Sequence, residues 1–281
     1  MNKSHFMAES QVRGWIVTAL SPAHRAFISF GCRQAWQERV VLLLQFVTYT
    51  LLITIFSSIF LITPFKELPT TIALNANVMI WYIIVTELVT FSGGQNFQGV
   101  RSDVVGGEFS ASLQRPKSYF RTKLWIWVGT NLVRSSVFLL LGTMLGLIFT
   151  RGFPYHWTQI PFLLLSIYIS TLIYCAIHFM LGLIEVWGPY ARSAMWVSQK
   201  SGFLLGGLIL PLQLYPQWLQ TLAWATPYPA MLNIPGKIVF DPSLTDMAAG
   251  LAKQILWLVI TIGAGFFIEA RAYDIIRKRG Q

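Results

Sequence analysis

Three ionisable side chains lie within long apolar stretches of this sequence and are its most informative polar residues. They are Glu87, Arg134 and His178. A charged side chain at the centre of a membrane helix costs about 2.5–3.5 kcal/mol on insertion scales, so such groups usually face a partner or water. Glu87 and Arg134 belong to consecutive stretches, and we expect them to form a buried ion pair. We expect His178 to form a hydrogen bond between helices. For Glu87 and Arg134, the alternative is a direct part in gating or substrate contact, and for His178 it is a proton relay.

Motifs for enzyme chemistry are missing from the sequence. It contains no G-x-x-x-x-G-K-[ST] nucleotide loop, no G-x-G-x-x-G pattern, no H-E-x-x-H and no acidic cluster that could hold a metal. Cys32 and Cys175 lie in different environments and have no metal-ligand spacing to another cysteine or histidine. The sequence therefore predicts a protein that is not an enzyme and carries no metal or cofactor of its own.

Long apolar stretches dominate the chain and predict an all-α membrane protein. Hydrophobic residues make up 54% of the sequence and charged residues only 11%, against about a quarter charged in soluble domains. A helix needs roughly 20 apolar residues to cross a bilayer. Six stretches predict transmembrane helices: residues 40–62, 72–91, 124–150, 160–184, 193–212 and 251–268.

The net charge of +10 could suggest a nucleic-acid partner, but its distribution indicates membrane orientation instead. If both termini lie on one side of a six-span protein, that side carries sixteen Lys and Arg residues and the other side carries four. Loops rich in Lys and Arg stay in the cytoplasm. We therefore expect both termini to be cytoplasmic and nucleic acid not to be a partner.

This topology divides the chain into a cytoplasmic tail, a transmembrane domain and a second tail. Within the first tail, residues 22–39 combine aromatic and cationic side chains in a pattern typical of a helix at the membrane surface, in contact with lipids. A solvated leader helix is the alternative. The predicted parts are the tail with its interfacial helix, 1–39, the six-span domain, 40–269, with a cytoplasmic loop at 92–123 and an external hairpin at 213–250, and the tail 270–281.

The cytoplasmic loop 92–123 is predicted to contain one or two short helices. Glycine pairs at 93–94 and 106–107 interrupt it, and Pro116 precedes a segment that continues into the third stretch. Glycine ends helices and proline begins them. The loop is predicted to be either a solvated hairpin or a docking element for a partner.

The fifth apolar stretch is short, rich in glycine and followed by repeated prolines. Such a pattern predicts a span that ends at Pro211 and a re-entrant helical hairpin in the outer leaflet, because irregular backbone at membrane depth must pack on protein or line a cavity. Aromatic residues of the hairpin suit the outer headgroup level. The residues that define this prediction are Pro211, Pro216, Trp218 and Pro227.

The order of these motifs resembles a known family. Gly107-Glu108 is followed by Leu113-Gln114-Arg115-Pro116, and the second half contains Gly206-Gly207, Leu210-Pro211, Thr226-Pro227 and Pro235-Gly236-Lys237. From about residue 25 onward, the sequence resembles the six-span permease subunits of ABC-type exporters, in the type-2 ABC permease superfamily. It departs from the pattern at Gln114, which separates a leucine and an arginine that are often adjacent in the family.

The resemblance implies partners and a location in the bacterial cytoplasmic (inner) membrane. Two permease subunits, of the same or a paralogous chain, would each sit on a separate cytoplasmic ABC ATPase, which would bind the ATP and magnesium. The interfacial helix and the loop would contact that ATPase, with charged side chains setting the register and two apolar ones as anchors. The predicted coupling residues are Arg101, Asp103, Glu108 and Arg115, with Phe109 and Leu113 as the anchors.

Two other functions stay open at this point. A secondary transporter or channel driven by an ion gradient would be favoured by an inverted repeat and by carboxylates at mid-membrane. The sequence shows no convincing repeat between its halves, and Glu87 lies near one end of its stretch. A scaffold of an envelope assembly without transport activity is the third possibility.

Overall fold

A computed structural model describes residues 22–63, 75–93, 96–153, 156–240 and 243–279, and all regular secondary structure in these ranges is helical. The α-helices, numbered along this part of the chain, are α1 Pro22–Gln37, α2 Arg39–Ile62, α3 Ala76–Ser92, α4 Asn96–Val105, α5 Glu108–Ala111, α6 Tyr119–Thr150, α7 Ile160–Leu183, α8 Ala191–Leu205, α9 Gln217–Trp224, α10 Tyr228–Met231, α11 Asn233–Ile238 and α12 Leu244–Arg279.

Five helical segments among the described residues are long and apolar enough to cross a membrane. They are Arg39–Ile62, Ala76–Val105, Tyr119–Thr150, Trp157–Val186 and Leu244–Arg279. Five of the six predicted stretches therefore correspond to candidate spans. The predicted fifth stretch, 193–212, is not among them, because α8 ends at Leu205. Gly207 then adopts a left-handed φ of +66° and the chain stays irregular up to Pro211.

Two helices form the centre of the bundle. Every side chain of α3 from Val78 to Val89 is buried, and α3 contacts α2, α6, α7 and α11. Helix α7 is buried along most of its length and packs on α12. A helix that is apolar on all sides can pack against neighbouring helices on all sides, so α3 and α7 take the interior positions. Helices α2 and α12 lie at the periphery and expose rows of large apolar side chains.

Helix α1 packs along the first half of α6 through a contact between two glycines. A Cβ atom on Gly31 would lie 2.0 Å from the carbonyl oxygen of Ile126, and one on Gly129 would lie 2.1 Å from that of Ile28. Only glycine permits so close an approach of two helix backbones. The helix predicted at residues 22–39 is present, but its buried contacts come from Gly31 and Ala35.

Two aromatic residues of α1 are largely exposed. Phe30 is 56% exposed and Trp36 is 64% exposed. They remain available to a membrane surface, as the interfacial prediction requires.

Helix α6 begins at a conventional cap, because the side chain of Ser118 accepts a hydrogen bond from the backbone N–H of Arg121.

Candidate functional site

One end of the bundle collects α1, the loop between α3 and α6, and the last turns of α12. In this loop, α4 packs on α7. Arg101 on α4 forms an ion pair of 3.1 Å with Glu185, which lies in the 3₁₀ turn after α7. Arg279 on α12 donates a hydrogen bond of 2.9 Å to the carbonyl of Val186 in the same turn. These contacts hold the loop, the turn and the last helix together.

Asp103 connects the loop to the start of α6. Its carboxylate accepts a hydrogen bond of 2.6 Å from the hydroxyl of Tyr119 and forms an ion pair of 2.7 Å with Lys123. Both contacts use the same oxygen, and both partners lie on the first turns of α6. A displacement of α4 would therefore pull directly on the end of this helix.

A second carboxylate, Glu269, joins α12 to the start of α6. It accepts hydrogen bonds of 2.7 Å from the Ser118 hydroxyl and 2.9 Å from the backbone N–H of Phe120. The first N–H groups of a helix lack partners within the helix and carry partial positive charge. Glu269 therefore supplies a charged cap from another helix. The sequence analysis missed it, although an acidic residue at the end of an apolar stretch was a usable signal.

Phe109 is a core residue of this end of the bundle. It is fully buried, stacks on Tyr273 with ring centroids 4.7 Å apart, and meets Tyr119 edge-on at 5.2 Å. The prediction that it anchors a partner is therefore wrong, because α5 turns it toward α6 and α12 instead of the surface. Leu113, the other predicted anchor, is half-buried.

Of the predicted coupling residues, Glu108 and Arg115 are exposed, whereas Arg101 and Asp103 are partly buried in ion pairs. Val105, at the end of α4, is a large apolar residue with 66% of its surface exposed. Gly107 has a left-handed φ of +83° and begins α5. We call the exposed residues Val105, Glu108 and Arg115 of this loop the loop ridge.

The predicted ion pair between Glu87 and Arg134 is not formed. Arg134 is 2% exposed and instead forms an ion pair of 2.5 Å with Glu38, in the single-residue turn between α1 and α2. The packing of α1 along α6 brings this turn to Arg134. Glu87 is buried in α3, near the phenols of Tyr49 and Tyr174, and forms no ion pair with any described residue.

His178 also differs from its prediction. It is buried in α7, its ring contacts Tyr174 with centroids 3.9 Å apart, and its Nδ1 atom has no hydrogen-bond partner among the described residues. The expected hydrogen bond between helices is therefore absent from this part of the protein. Aromatic packing holds the ring in place.

The irregular segment after α8 is held by polar side chains of α3. The Tyr82 hydroxyl donates a hydrogen bond to the carbonyl of Gly207, and Thr86 donates one of 2.8 Å to that of Leu208. Asn233 accepts a hydrogen bond of 3.1 Å from the backbone N–H of Leu212. These side chains satisfy backbone groups that no helix satisfies, as a buried irregular segment requires.

The short helices α10 and α11 are buried against the bundle in the same way. Gln254 on α12 donates hydrogen bonds of 2.9 Å to the carbonyl of Ala230 and 2.8 Å to the hydroxyl of Ser170. Gln159 donates one of 3.0 Å to the carbonyl of Ile238. Amide and hydroxyl groups within apolar stretches were the signal in the sequence, but their partners could not be identified there.

The residues predicted to define the external hairpin have different surroundings. Pro211 is buried next to the irregular segment, and Pro227 is half-buried at the start of α10. Pro216 and Trp218 are exposed, the latter by 69%. Helix α9 therefore lies at the surface, whereas α10 and α11 lie in the interior.

These features define a multi-pass helical membrane protein with a tightly packed set of loops at one end. A family model described as ABC-2 family transporter protein matches residues 40–274. The chain belongs to this family and is therefore the membrane-spanning permease component of an ABC transporter. No curated protein matches the sequence.

Proposed function

We propose that this chain is the permease subunit of an ATP-driven exporter and is coupled to a separate ABC ATPase through the loop between α3 and α6. The observation that carries this proposal is the pair of carboxylates that tie the loop and α12 to the start of α6. Asp103 links α4 to Lys123, and Glu269 links α12 to Phe120. A force applied to the loop therefore reaches two candidate spans without a flexible joint.

In this proposal, the ATPase contacts the loop ridge. Val105 gives the ridge an exposed apolar residue, and Glu108 and Arg115 give it one charge of each sign. Central apolar anchors supply affinity in protein interfaces, whereas charged residues at the rim favour the correct partner and orientation. Closure of the ATPase on ATP would move α4 and α5, and Asp103 would transmit that movement to α6.

We further propose six membrane crossings with both termini in the cytoplasm of a bacterial cell. The fifth crossing combines α8 with the irregular segment 206–211. Helix α8 has 15 residues, which reach about 22 Å of a hydrocarbon core of roughly 30 Å. The hydrogen bonds from Tyr82 and Thr86 support this arrangement, because they let the backbone continue without a helix.

The same arrangement makes the segment from α9 to α11 a re-entrant hairpin on the outer side. Its inner helices pack on α3 and α7, and the exposed Trp218 suits the outer headgroup level. The exposed apolar surfaces of α2 and α12 would contact lipids and a second permease subunit. The direction of transport, outward, follows from the resemblance to exporter subunits.

A test of the coupling combines copurification with ATPase assays. The tagged permease is purified from membranes of its native host, any bound ABC ATPase is identified by mass spectrometry, and the complex is placed in lipid nanodiscs. We expect the wild-type chain to recruit an ATPase. The variant Val105→Asp/Glu108→Arg should lose it while the permease stays folded, because both changes lie on the exposed ridge.

The matched control is Gln217→Glu, which changes an exposed position on α9 at the other end of the bundle. It should retain the ATPase. If the wild-type permease recruits no ATPase, or transports its substrate in liposomes on a proton gradient without ATP, the exporter proposal is wrong and a secondary transporter becomes the favoured function. Recruitment of ATPase by the ridge variant as strongly as by the wild type would place the coupling surface elsewhere.

A further inference from the structure

A cavity of about 480 Å³ with polar and apolar walls lies between α1, α4 and the first half of α6. This size falls within the usual range of small-molecule sites, roughly 300–1,000 Å³. Its wall runs along α6 from Lys123 to Arg134, a distance of about 16 Å at 1.5 Å per residue. The other polar residues of the wall include Gln34, Glu38, Asn96 and Gln98.

The guanidinium of Arg134 at one end of the cavity has unused hydrogen-bonding capacity. It is 2% exposed, and its hydrogen bond to Glu38 involves Nη2 alone. Its Nε atom has no hydrogen-bond partner among the described residues. A guanidinium offers five N–H donors in a planar fork that matches the oxygens of a phosphate. Arg134 is therefore suited to bind a phosphate group within the cavity.

A second cation lies at the other end of the cavity. Lys123 lines the wall near the start of α6 and pairs with Asp103. Apolar side chains lie between the two cations, with Phe30, Ile126 and Trp127 contributing to the wall. A site with cations at both ends and aromatic and aliphatic groups between them suits an amphiphile better than a small inorganic ion.

The position of the cavity indicates the source of this amphiphile. Phe30 lines the cavity and is also 56% exposed, so this wall adjoins the surface of α1 that is expected to lie on the membrane. The ion pair with Glu38 places Arg134 beside the turn that follows α1. A lipid headgroup at that surface therefore lies close to the cavity.

We propose that this cavity binds the phosphate-bearing headgroup of a phospholipid from the cytoplasmic leaflet, with the phosphate on Arg134. The bound lipid would stabilise the junction of α1 and α2, because Glu38 in that junction shares the same guanidinium. The inference depends on the proposed function only in placing this end of the bundle at the cytoplasmic side. Binding itself is measured on the permease without any ATPase.

The test uses delipidated permease in detergent, titrated with phosphatidylethanolamine or phosphatidylglycerol and followed by native mass spectrometry. We expect wild-type chains to retain lipid adducts at collision energies that strip lipid from surface sites. The variant Glu38→Gln/Arg134→Gln removes both charges of the ion pair together and leaves neither unpaired. It should bind lipid at least about tenfold more weakly.

A second variant keeps Arg134 intact and narrows the cavity. Gly99 lines it, and a Cβ atom on Gly99 meets no atom within 4 Å, so Gly99→Leu is compatible with folding. It should weaken lipid binding as well. The matched control Asp274→Asn/Arg277→Gln neutralises an exposed pair of charges on α12 and should bind lipid as the wild type does.

Two results would overturn the inference. Equal lipid binding by the wild type, the double variant and Gly99→Leu would show that the cavity is not a lipid site. Displacement of the retained lipid by millimolar inorganic phosphate would assign the cavity to a soluble anion. Loss of ATPase recruitment by the loop-ridge variant, with lipid binding unchanged, would leave the inference standing, because the two sites are tested separately.

Discussion

Glu269, near the end of the last helix, accepts a hydrogen bond of 2.9 Å from the backbone N–H of Phe120 in the first turn of α6. The two residues are 149 positions apart in the chain. The carboxylate is buried and also accepts a hydrogen bond from Ser118. One side chain therefore caps the start of one candidate span from the end of another, and couples their positions.

The first prediction concerns the charge of this cap. Glu269→Gln keeps the shape of the side chain but removes the charge that faces the positive end of α6. Hydrogen bonds to charged groups contribute about 1.5–3 kcal/mol, so we expect a lower melting temperature in detergent and in nanodiscs. The control is Asp274→Asn, exposed on the same helix, which should leave the melting temperature unchanged. Equal melting temperatures of Glu269→Gln and Asp274→Asn would show that the cap does not stabilise the fold.

The second prediction concerns the glycine contact between α1 and α6. In Gly129→Ala, the new methyl group would lie 2.1 Å from the carbonyl oxygen of Ile28, so the helices must separate. We expect a destabilisation of roughly 1–3 kcal/mol and easier proteolysis after α1. Gly263→Ala on α12 is the control, since its Cβ meets no atom within 4 Å. Unchanged melting of Gly129→Ala would mean that α1 is not held by this contact.

Much of the helical architecture could be predicted from hydropathy, because apolar length alone decides which segments can cross a bilayer. This reasoning identified the segments of α2, α3, α6, α7 and α12. It could not give the end of α8. The irregular backbone that follows α8 is possible only because Tyr82 and Thr86, more than 120 positions away, donate to its carbonyl groups. Such compensation is tertiary and leaves no periodic signal.

The candidate site was harder to predict, because it depends on which helices approach each other. Arg134 was recognised as a buried charge that needs a partner, but Glu87 was chosen because its helix is next in sequence. The partner is Glu38, which the contact of Gly31 with α6 brings within reach. Phe109 was assigned to the surface because a short loop helix has no periodicity long enough to reveal its buried face.

The third prediction distinguishes the two candidate partners of Arg134. In a double-mutant cycle with Glu38→Gln and Arg134→Gln, the single changes should each destabilise, and the double variant should be less destabilised than their sum. Removing Glu38 leaves the charge of the buried Arg134 uncompensated, and directly coupled residues show interaction energies of about 0.5–3 kcal/mol. Melting temperatures in detergent provide the measurement.

The comparison cycle pairs Glu87→Gln with Arg134→Gln. Because Glu87 forms no ion pair with Arg134, these two changes should be additive within about 0.5 kcal/mol. Coupling in the Glu87 cycle combined with additivity in the Glu38 cycle would reverse the assignment of the partner. The outcome does not depend on any transport assay.

The last prediction concerns the hydrogen bond that Tyr82 donates to the carbonyl of Gly207. Tyr82→Phe removes the hydroxyl and leaves that carbonyl without its donor in a buried segment, which costs about 1–3 kcal/mol. This hydrogen bond stabilises an irregular segment and not a helix. Without it, we expect local opening of residues 206–212 before global unfolding. Hydrogen exchange followed by mass spectrometry in nanodiscs should show faster exchange there and unchanged exchange in α7. The control is Tyr190→Phe, which removes an exposed hydroxyl and should leave exchange unchanged throughout. Equal protection of residues 206–212 in wild type and Tyr82→Phe would show that this hydrogen bond does not hold the segment in place.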